Sequence, residues 1–411
     1  MEKIKNYKLI IILLSLDLLA LLYGISTLSI STDEADIYFG EQGKSLIFSH
    51  SLLYYISHFG TFIFGQNDFG LRLPFLFFHF LSCLLLYLLA LKYTKTKIDA
   101  FFSLLLFVLL PGTVASALLV NAASLVIFLT LAILCAYEYE KKWLFYILLI
   151  MVLFVDKSFN ILFLTFFFFG IYKRNAILFT LSLVLFGVSI SFYGFDTGGR
   201  PRGYFLDTLG IFAACFSPLV FVYFFYTIYR LTFQKYKNLL WFLMSVTFVF
   251  CLLLSLRQKL FLDDFLPFCV ICTPLLIKTL MQSYRVRLPV FRLRYKIFIE
   301  CSIIFLIFCY FLIVANQLLY YFINNPNRHF ANNYHFAKEL ALELKKQDVL
   351  ELATAPSLQK RLRFYGIKNS NKFYLKALKQ ADKYDMDKKI VKVKLGKYEK
   401  VYQILNYDQS F

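Results

Sequence analysis

Long apolar runs recur through the first three quarters of the chain, and they constrain the fold more than any other feature. The chain of 411 residues is 60% hydrophobic and 20% aromatic, which is far more apolar surface than a soluble domain buries. A membrane-spanning helix needs about 20 apolar residues, and several runs are shorter, so 98–110 and 113–136 are also consistent with a re-entrant pair. The runs predict an all-α polytopic membrane protein with about eleven transmembrane helices, at roughly 8–30, 69–91, 98–110, 113–136, 143–155, 158–172, 175–195, 208–229, 238–256, 261–281 and 297–323.

Basic residues alternate between the loops and predict the orientation. With the N-terminus in the cytoplasm, the inside loops are "LKYTKTK", "YEKKW", "YKRN", "YRLTFQKYKN" and "YRVRLPVFRLRYK", each rich in Lys and Arg. The outside loops hold fewer cations. The first apolar run lacks a small-residue cleavage site and is read as a retained span. An odd number of spans then places the C-terminal tail outside.

Cysteine and histidine patterns exclude two classes of site. All eight cysteines lie inside apolar runs, so they are read as small membrane hydrophobes and not as a disulfide framework. The single C-x-x-C, Cys269 to Cys272, has no second pair to complete a zinc site. The five histidines show no metal-binding spacing.

The tail, residues 324–411, differs in composition from the rest. It carries 18 Lys plus Arg against 9 Asp plus Glu and has no spanning run. "HFAKELALELKKQ" has helical periodicity, and "KKIVKVKLGKYEKVYQIL" alternates like a hairpin with Gly396 near its turn. We therefore predict two domains, a transmembrane domain at 1–323 and a small α+β extramembrane domain at 324–411. The basic excess would suit anionic lipid or sugar phosphate, or simply a solvated face.

An acidic cluster follows the first span directly. "STDEADIYFG" holds Asp33, Glu34 and Asp36 at the start of the predicted outer loop 32–68. Carboxylates at a membrane surface are poorly solvated on one side, which suits them to accept a proton from a hydroxyl. The alternative is a plain solvated loop.

The order of several short motifs resembles the membrane-embedded glycosyltransferases of the C type. The nearest family contains protein O-mannosyltransferases and the transferase that adds aminoarabinose to lipid A. The resemblance covers roughly 1–285, with an echo at "LRFYGI" in the tail. It rests on "TDEADIYFGEQG", "GQNDFGLRLPFLFFHF", "VDKSFNILFLT", "GGRPRGYFLDTLGIFAACFSPL" and "LRQKLFLDDFLPFCVICTPLL", which occur in the family's order and on one predicted side.

The resemblance implies a GT-C-like fold and a reaction in the bacterial inner membrane. A sugar would pass from a polyprenyl-phosphate donor to a lipid, glycan or protein acceptor on the periplasmic face. Asp33 would be the base, and Glu34 would orient the acceptor or the base. Cations would hold the departing phosphate. The candidates, in order of preference, are Lys157, Arg257, Lys259, Arg202 and Arg200.

Further polar residues have two interpretations each. Lys157 could instead pair with Asp156, and Arg72 could contact the acceptor or anchor structurally in the headgroups. Asp263 and Asp264 could pair with Arg257 or Lys259, or help to bind the acceptor or a metal. The "DTGGRPRG" segment is either a gate over the donor or a surface loop. Asp17 is read as a structural hydrogen-bonding group inside the first span.

One position departs from the family. The span after "LLPG" often carries an Asp there, whereas this chain has Asn121. The change weakens either an acidic contact to the acceptor or the assumption of activity. A non-catalytic relative therefore stays an alternative, as do a lipid-linked glycan flippase or transporter and a glycan polymerase or ligase. No cofactor is certain, a divalent metal is left open, and no nucleic-acid partner is expected.

Overall fold

The protein is mostly helical, with one small sheet near its C-terminus. The computed structural model describes residues 2–41, 49–194, 203–323, 328–370, 372–378 and 389–406. The helices are α1 (Glu2–Thr27), α2 (Thr32–Tyr38), α3 (Leu52–Phe64), α4 (Asp68–Tyr93), α5 (Lys97–Leu109), α6 (Pro111–Leu118), α7 (Ala122–Glu138), α8 (Lys142–Met151), α9 (Asn160–Lys173), α10 (Ala176–Tyr193), α11 (Phe205–Phe216), α12 (Pro218–Thr232), α13 (Leu239–Ser255), α14 (Leu266–Val270), α15 (Thr273–Val286), α16 (Pro289–Val314), α17 (Ala337–Lys346) and α18 (Pro356–Phe364).

The helices form two compact units. Unit 1 comprises Met1–Leu21, Ser45–Leu52 and Phe75–Ile313, and unit 2 comprises Leu22–Lys44, Leu53–Pro74 and Val314–Phe411. Unit 2 thus combines the acidic segment after the first span with the C-terminal tail. The predicted boundary between a membrane domain and a periplasmic domain at residue 323 stays a prediction.

Many of the helices are apolar enough to lie in a membrane. Within the described residues, five helices are long and apolar enough to cross a membrane, and two bent pairs would raise the number to seven. The bends lie at Pro111, where α5 and α6 meet at 60°, and at Pro218, where α11 and α12 meet at 108°. Proline at the first turn of a helix has no N–H to lose there, so it starts a new helix and ends the old one. The predicted total of eleven spans stays a prediction.

The tail contains the helix and the hairpin that the sequence pattern predicts, together with a further helix, α18, and a third strand. Strands β1 (Phe373–Ala377), β2 (Ile390–Leu395) and β3 (Tyr398–Asn406) form an antiparallel sheet in the order β1-β3-β2. In β2, Val391 and Val393 are buried while Lys392 and Lys394 are exposed, which is the two-residue period of a half-buried strand. The β2–β3 hairpin turns at Gly396, whose φ of 59° suits glycine. The helix α17 and the hairpin are both confirmed.

A single apolar core fixes the tail. The buried face of α17, including Leu340 and Leu344, packs with Val391 and Val393 of the sheet and with Tyr320, which precedes the tail. The amphipathic pattern of α17 thus finds its apolar partner in the sheet. The surface of the tail provides partners for the acidic segment that follows the first span.

Candidate functional site

The acidic segment forms a short capped helix, α2. Ser31 is its N-cap: the Ser31 hydroxyl accepts the Glu34 N–H at 3.1 Å, and the Ser31 N–H donates to the Glu34 carboxylate at 3.0 Å. This reciprocal pair satisfies two backbone donors that a helix start otherwise leaves open. Asp33 and Glu34 lie in the first turn, where the helix dipole favours negative charge. The cap therefore fixes which way each of the two carboxylates points.

Glu34 forms a buried ion pair with Arg72. The Arg72 Nη2 donates to the Glu34 carboxylate at 2.7 Å, and the Arg72 Nε donates to its other oxygen at 3.2 Å. Arg72 also donates to the backbone oxygens of Leu28 at 2.9 Å and Ser29 at 3.0 Å. Both side chains are almost wholly buried. None of the Arg72 side chain reaches the surface, and its guanidinium is held within unit 2 by these hydrogen bonds.

Asp33 is the exposed member of the acidic pair. Its neighbour Glu34 faces inward and is held by Arg72, whereas Asp36 on the same helix is paired with Lys360 at 2.6 Å. The capped helix thus presents one carboxylate to solvent from a backbone held on the other side. That arrangement suits a group that must meet an external molecule.

Asp68 is a buried carboxylate that the sequence reasoning did not single out. The Tyr365 hydroxyl donates to it at 2.6 Å, and the Lys338 ammonium lies 3.0 Å from its other oxygen. The same hydroxyl accepts the Ile30 N–H at 2.9 Å. Burial raises the pKa of Tyr365, and the Asp68 charge raises it further, so the hydroxyl stays protonated as the donor. Tyr365 thereby joins the tail to the segment that precedes α2.

Two basic residues of α18 complete this contact. Lys360 bridges Asp36 at 2.6 Å and Glu41 at 2.5 Å, and Arg361 donates to the Ile30 oxygen at 2.8 Å. The sequence signal was the "LRFYGI" echo, which overlaps the end of α18. Neither periodicity nor charge spacing indicated that Lys360 and Arg361 bind the segment around α2, because the paired residues lie more than 320 positions apart.

In unit 1, a second group of predicted residues lines a cavity of about 160 Å³. The Lys157 ammonium lies 2.9 Å from the Asp264 carboxylate, and its side chain is 55% exposed. Lys259 lines the same cavity. Asp156, which the sequence offered as a partner for Lys157, accepts the Ser158 N–H at 2.9 Å and starts a short helical turn. Burial raises the pKa of Asp156.

The other predicted residues are placed as follows. Arg257 and Asp263 are neighbours in sequence of residues that line that cavity. Both side chains are exposed, and neither lines the cavity. Asn121 is the N-cap of α7, where its side chain accepts the Ala123 N–H at 3.1 Å. Arg200 and Arg202 lie outside the described residues. Asp33 and Glu34 belong to unit 2, and the Lys157 group belongs to unit 1.

Asp17 has the structural role that the sequence predicted. It accepts the Tyr310 hydroxyl at 2.7 Å and lies 3.0 Å from His79, all within unit 1. Such bonds satisfy a polar group that would be costly to bury alone. Among the described residues, no three His, Cys, Asp or Glu side chains are grouped so as to hold a metal ion.

Comparison with known proteins adds evidence at the level of the fold. The sequence matches no protein-family model and no curated protein. The structure matches a crystal structure of ArnT from Cupriavidus metallidurans in the apo state, with a TM-score of 0.59 and 10% identity over 98% of each chain. The chain has the fold of ArnT. A second ArnT structure, bound to undecaprenyl phosphate, matches with a TM-score of 0.54 and 11% identity over 97% of this chain and 98% of that one.

The ArnT fold confirms the resemblance drawn from the ordered motifs, because ArnT is a C-type glycosyltransferase that modifies lipid A with aminoarabinose. The likeness spans nearly the whole chain, whereas the motifs covered roughly 1–285. At this identity the match concerns the fold, and the chemistry has to be argued from the residues.

Proposed function

We propose that this protein is a membrane glycosyltransferase that moves a sugar from a polyprenyl-phosphate donor to an acceptor. The observation that supports it most is the ArnT fold, which extends over 98% of the chain. A second ArnT structure with this fold is bound to undecaprenyl phosphate. The exposed carboxylate of Asp33 on a rigidly capped helix is the second support. The site of transfer would be the periplasmic face of a bacterial inner membrane, with the N-terminus in the cytoplasm and the tail in the periplasm.

Asp33 would act as the base. The acceptor hydroxyl attacks the anomeric carbon of the donor sugar and gives its proton to the Asp33 carboxylate. The bond from that carbon to the donor phosphate breaks, and the polyprenyl phosphate leaves with the bonding electrons. An exposed carboxylate can reach such a hydroxyl, whereas Glu34, which is saturated by Arg72 and the Ser31 N–H, holds the helix in place.

The leaving phosphate needs cations, and unit 1 provides candidates. Lys157 and Lys259 line one cavity, and the Lys157 ammonium is positioned there 2.9 Å from the Asp264 carboxylate. Arg257, Arg200 and Arg202 stay further candidates for the same role. The acceptor is a lipid, a glycan or a protein. Asn121 does not argue for an inactive relative, because its capping bond gives the amide a structural reason to be there.

The decisive variant is Asp33→Asn. It keeps the size of the side chain and removes its basicity, and loss of a general base costs roughly 10²–10⁴-fold in rate. The assay follows transfer from a radiolabelled polyprenyl-phosphate sugar pool in membranes at matched expression. Asp348→Asn is the control: it removes one exposed carboxylate of unit 2, and Asn tolerates the left-handed backbone at φ 56°.

Loss of transfer in Asp33→Asn, with Asp348→Asn unchanged, supports the proposal and lets the labelled product identify the acceptor. Full transfer in Asp33→Asn removes Asp33 as the base. No transfer by the wild-type protein to any acceptor favours the flippase, transporter or non-catalytic alternatives.

A further inference from the structure

A polar cavity of about 280 Å³ lies in unit 1, and none of its lining residues belongs to the groups proposed for proton transfer or for binding the leaving phosphate. It is formed where α4, α7 and α9 end and α13 begins, with α15 alongside. Its size is close to the lower limit of about 300 Å³ for small-molecule sites. Four lysines line it, namely Lys92, Lys173, Lys237 and Lys278.

The cavity holds far more positive than negative charge. Glu138 is its one acidic lining residue, and the Glu138 carboxylate already accepts the Tyr93 hydroxyl at 2.5 Å. Four lysines less one glutamate leave a formal charge of +3. Within the described part of the chain, none of the four ammonium groups is within ion-pair distance of a carboxylate.

Aromatic rings hold the lysines in place. The ammonium of Lys92 lies 4.6 Å from the Tyr139 ring, and that of Lys237 lies 4.5 Å from the Trp241 ring. Lys278 lies 5.9 Å from the Tyr93 ring and, like Lys237, is half-buried. Cation–π contacts fix the position of a charge and leave its hydrogen-bond donors free. Partly buried like charges that share one cavity repel each other, and a bound anion removes that cost.

We propose that this lysine cavity is a binding site for a phosphate group, carried by an anionic lipid headgroup or by a free phosphate anion. Lysine is a common ligand of phosphate, and basic pockets between membrane helices take phospholipid headgroups. Lys92, Lys173 and Lys237 come from loops whose charge predicts a cytoplasmic location, which is the side where anionic lipid is attracted by basic residues. The site is separate from the proposed catalytic groups and does not depend on them.

The test compares a double variant of the cavity with a double variant outside it. Lys237→Gln/Lys278→Gln removes the two half-buried lysines of the cavity, and Lys92→Gln/Lys173→Gln serves if the first variant does not fold. Lys141→Gln/Lys142→Gln is the matched control, because it removes the same charge from exposed lysines outside the cavity. Each protein is reconstituted in phosphatidylcholine nanodiscs with and without phosphatidylglycerol, and native mass spectrometry counts the retained phosphatidylglycerol. A second arm measures thermal stabilisation by inorganic phosphate in pure phosphatidylcholine.

Phosphatidylglycerol retention that is roughly tenfold or more weaker in the cavity variant, and unchanged in the control, supports a lipid headgroup. Stabilisation by inorganic phosphate that the cavity variant alone loses, without a difference in lipid retention, supports a free phosphate anion. Equal behaviour of the cavity and control variants in both arms overturns the proposal.

Discussion

At the residue scale, the Glu34–Arg72 pair explains why one of two adjacent carboxylates is buried and the other is exposed. Glu34 lies at the third position of a capped helix and points inward, so its charge is matched by a fully buried guanidinium. Asp33 lies one position earlier and points outward. A helix turns by about 100° per residue, and this rotation is enough to bury one of the two carboxylates and expose the other.

Arg72→Met should destabilise unit 2 by about 3–5 kcal/mol, because it removes the guanidinium that compensates the buried Glu34 charge. The double variant Arg72→Met/Glu34→Met should lose less than the sum of the two single variants, since both charges are then gone. Melting temperatures of the four proteins in detergent give the coupling. Additive losses would mean that the pair contributes no interaction energy.

Two histidines make unit 2 sensitive to acid. Burial lowers the pKa of His335 to about 3, with further lowering by the neighbouring His329 ring and by the positive charges of Arg361 and Arg72. Burial also lowers the pKa of His329, whose Nδ1 accepts the Ala331 N–H at 3.0 Å and which therefore donates from Nε2 to the Asn316 oxygen. Both rings are neutral in the folded protein.

The folded pKa of His335 lies below its unfolded value of 6.5, so the unfolded chain binds the extra proton between about pH 3 and 6.5. Its contribution to stability is complete above pH 6.5 and is lost as the pH falls, by roughly 2 kcal/mol between pH 7 and pH 5. His335→Asn should flatten the pH dependence of the melting temperature, because the group that binds the extra proton in the unfolded chain is removed. A wild-type melting temperature that is constant over this range would contradict the assignment.

At the element scale, α3 and α4 approach each other through glycine. A Cβ on Gly60 would lie 2.6 Å from Pro74 Cγ and would also strike the Gly70 oxygen. Real Cβ atoms do not come this close, and the obstacles are a backbone atom and a rigid ring. The absence of a side chain at Gly60 therefore permits this contact between the two helices within unit 2.

Gly60→Ala should destabilise the protein by about 1–3 kcal/mol through overpacking. Gly187→Ala in α10 is the matched control, because no atom lies within 4 Å of its added Cβ. It should be neutral, or should stabilise by up to about 1 kcal/mol, since alanine is the better helix former. The readout is the melting temperature. Equal effects of the two substitutions would show that the α3–α4 contact does not require glycine at position 60.

At the scale of the whole molecule, the second compact unit is discontinuous in sequence. The segment around α2 has its partners in the tail: the Ser29 N–H donates to the Tyr334 oxygen at 2.8 Å, and Lys360 and Arg361 bind on either side of the helix cap. The catalytic base proposed here thus depends on residues from the far end of the chain.

Truncation after residue 323 should therefore abolish transfer even though Asp33 stays in the protein. It should also raise amide hydrogen exchange over residues 28–41, because the bonds from Tyr334, Lys360 and Tyr365 are removed. Exchange in α9 and α13 of unit 1 should not change. Unaltered protection of 28–41 in the truncated protein would contradict this dependence of α2 on the tail.

The sequence by itself determined the class of protein, the tail elements and the acidic candidate. Apolar runs, the alternation in β2 and the periodicity of α17 are local patterns, and local patterns can be recognised without knowledge of the fold. The ordered motifs also indicated the ArnT-like fold, which the structural match confirmed. Within the acidic pair, no local pattern showed that Glu34 is buried and Asp33 exposed.

Only the tertiary structure decided which polar residues share a site. The pairs Arg72–Glu34, Tyr365–Asp68 and Lys360–Asp36 are joined across 38, 297 and 324 positions, respectively. No periodicity or spacing encodes such pairs, because their geometry follows from how whole helices pack. The same reason applies to the lysine cavity: its four cations lie on separate helices or loops, and only folding brings them to one place.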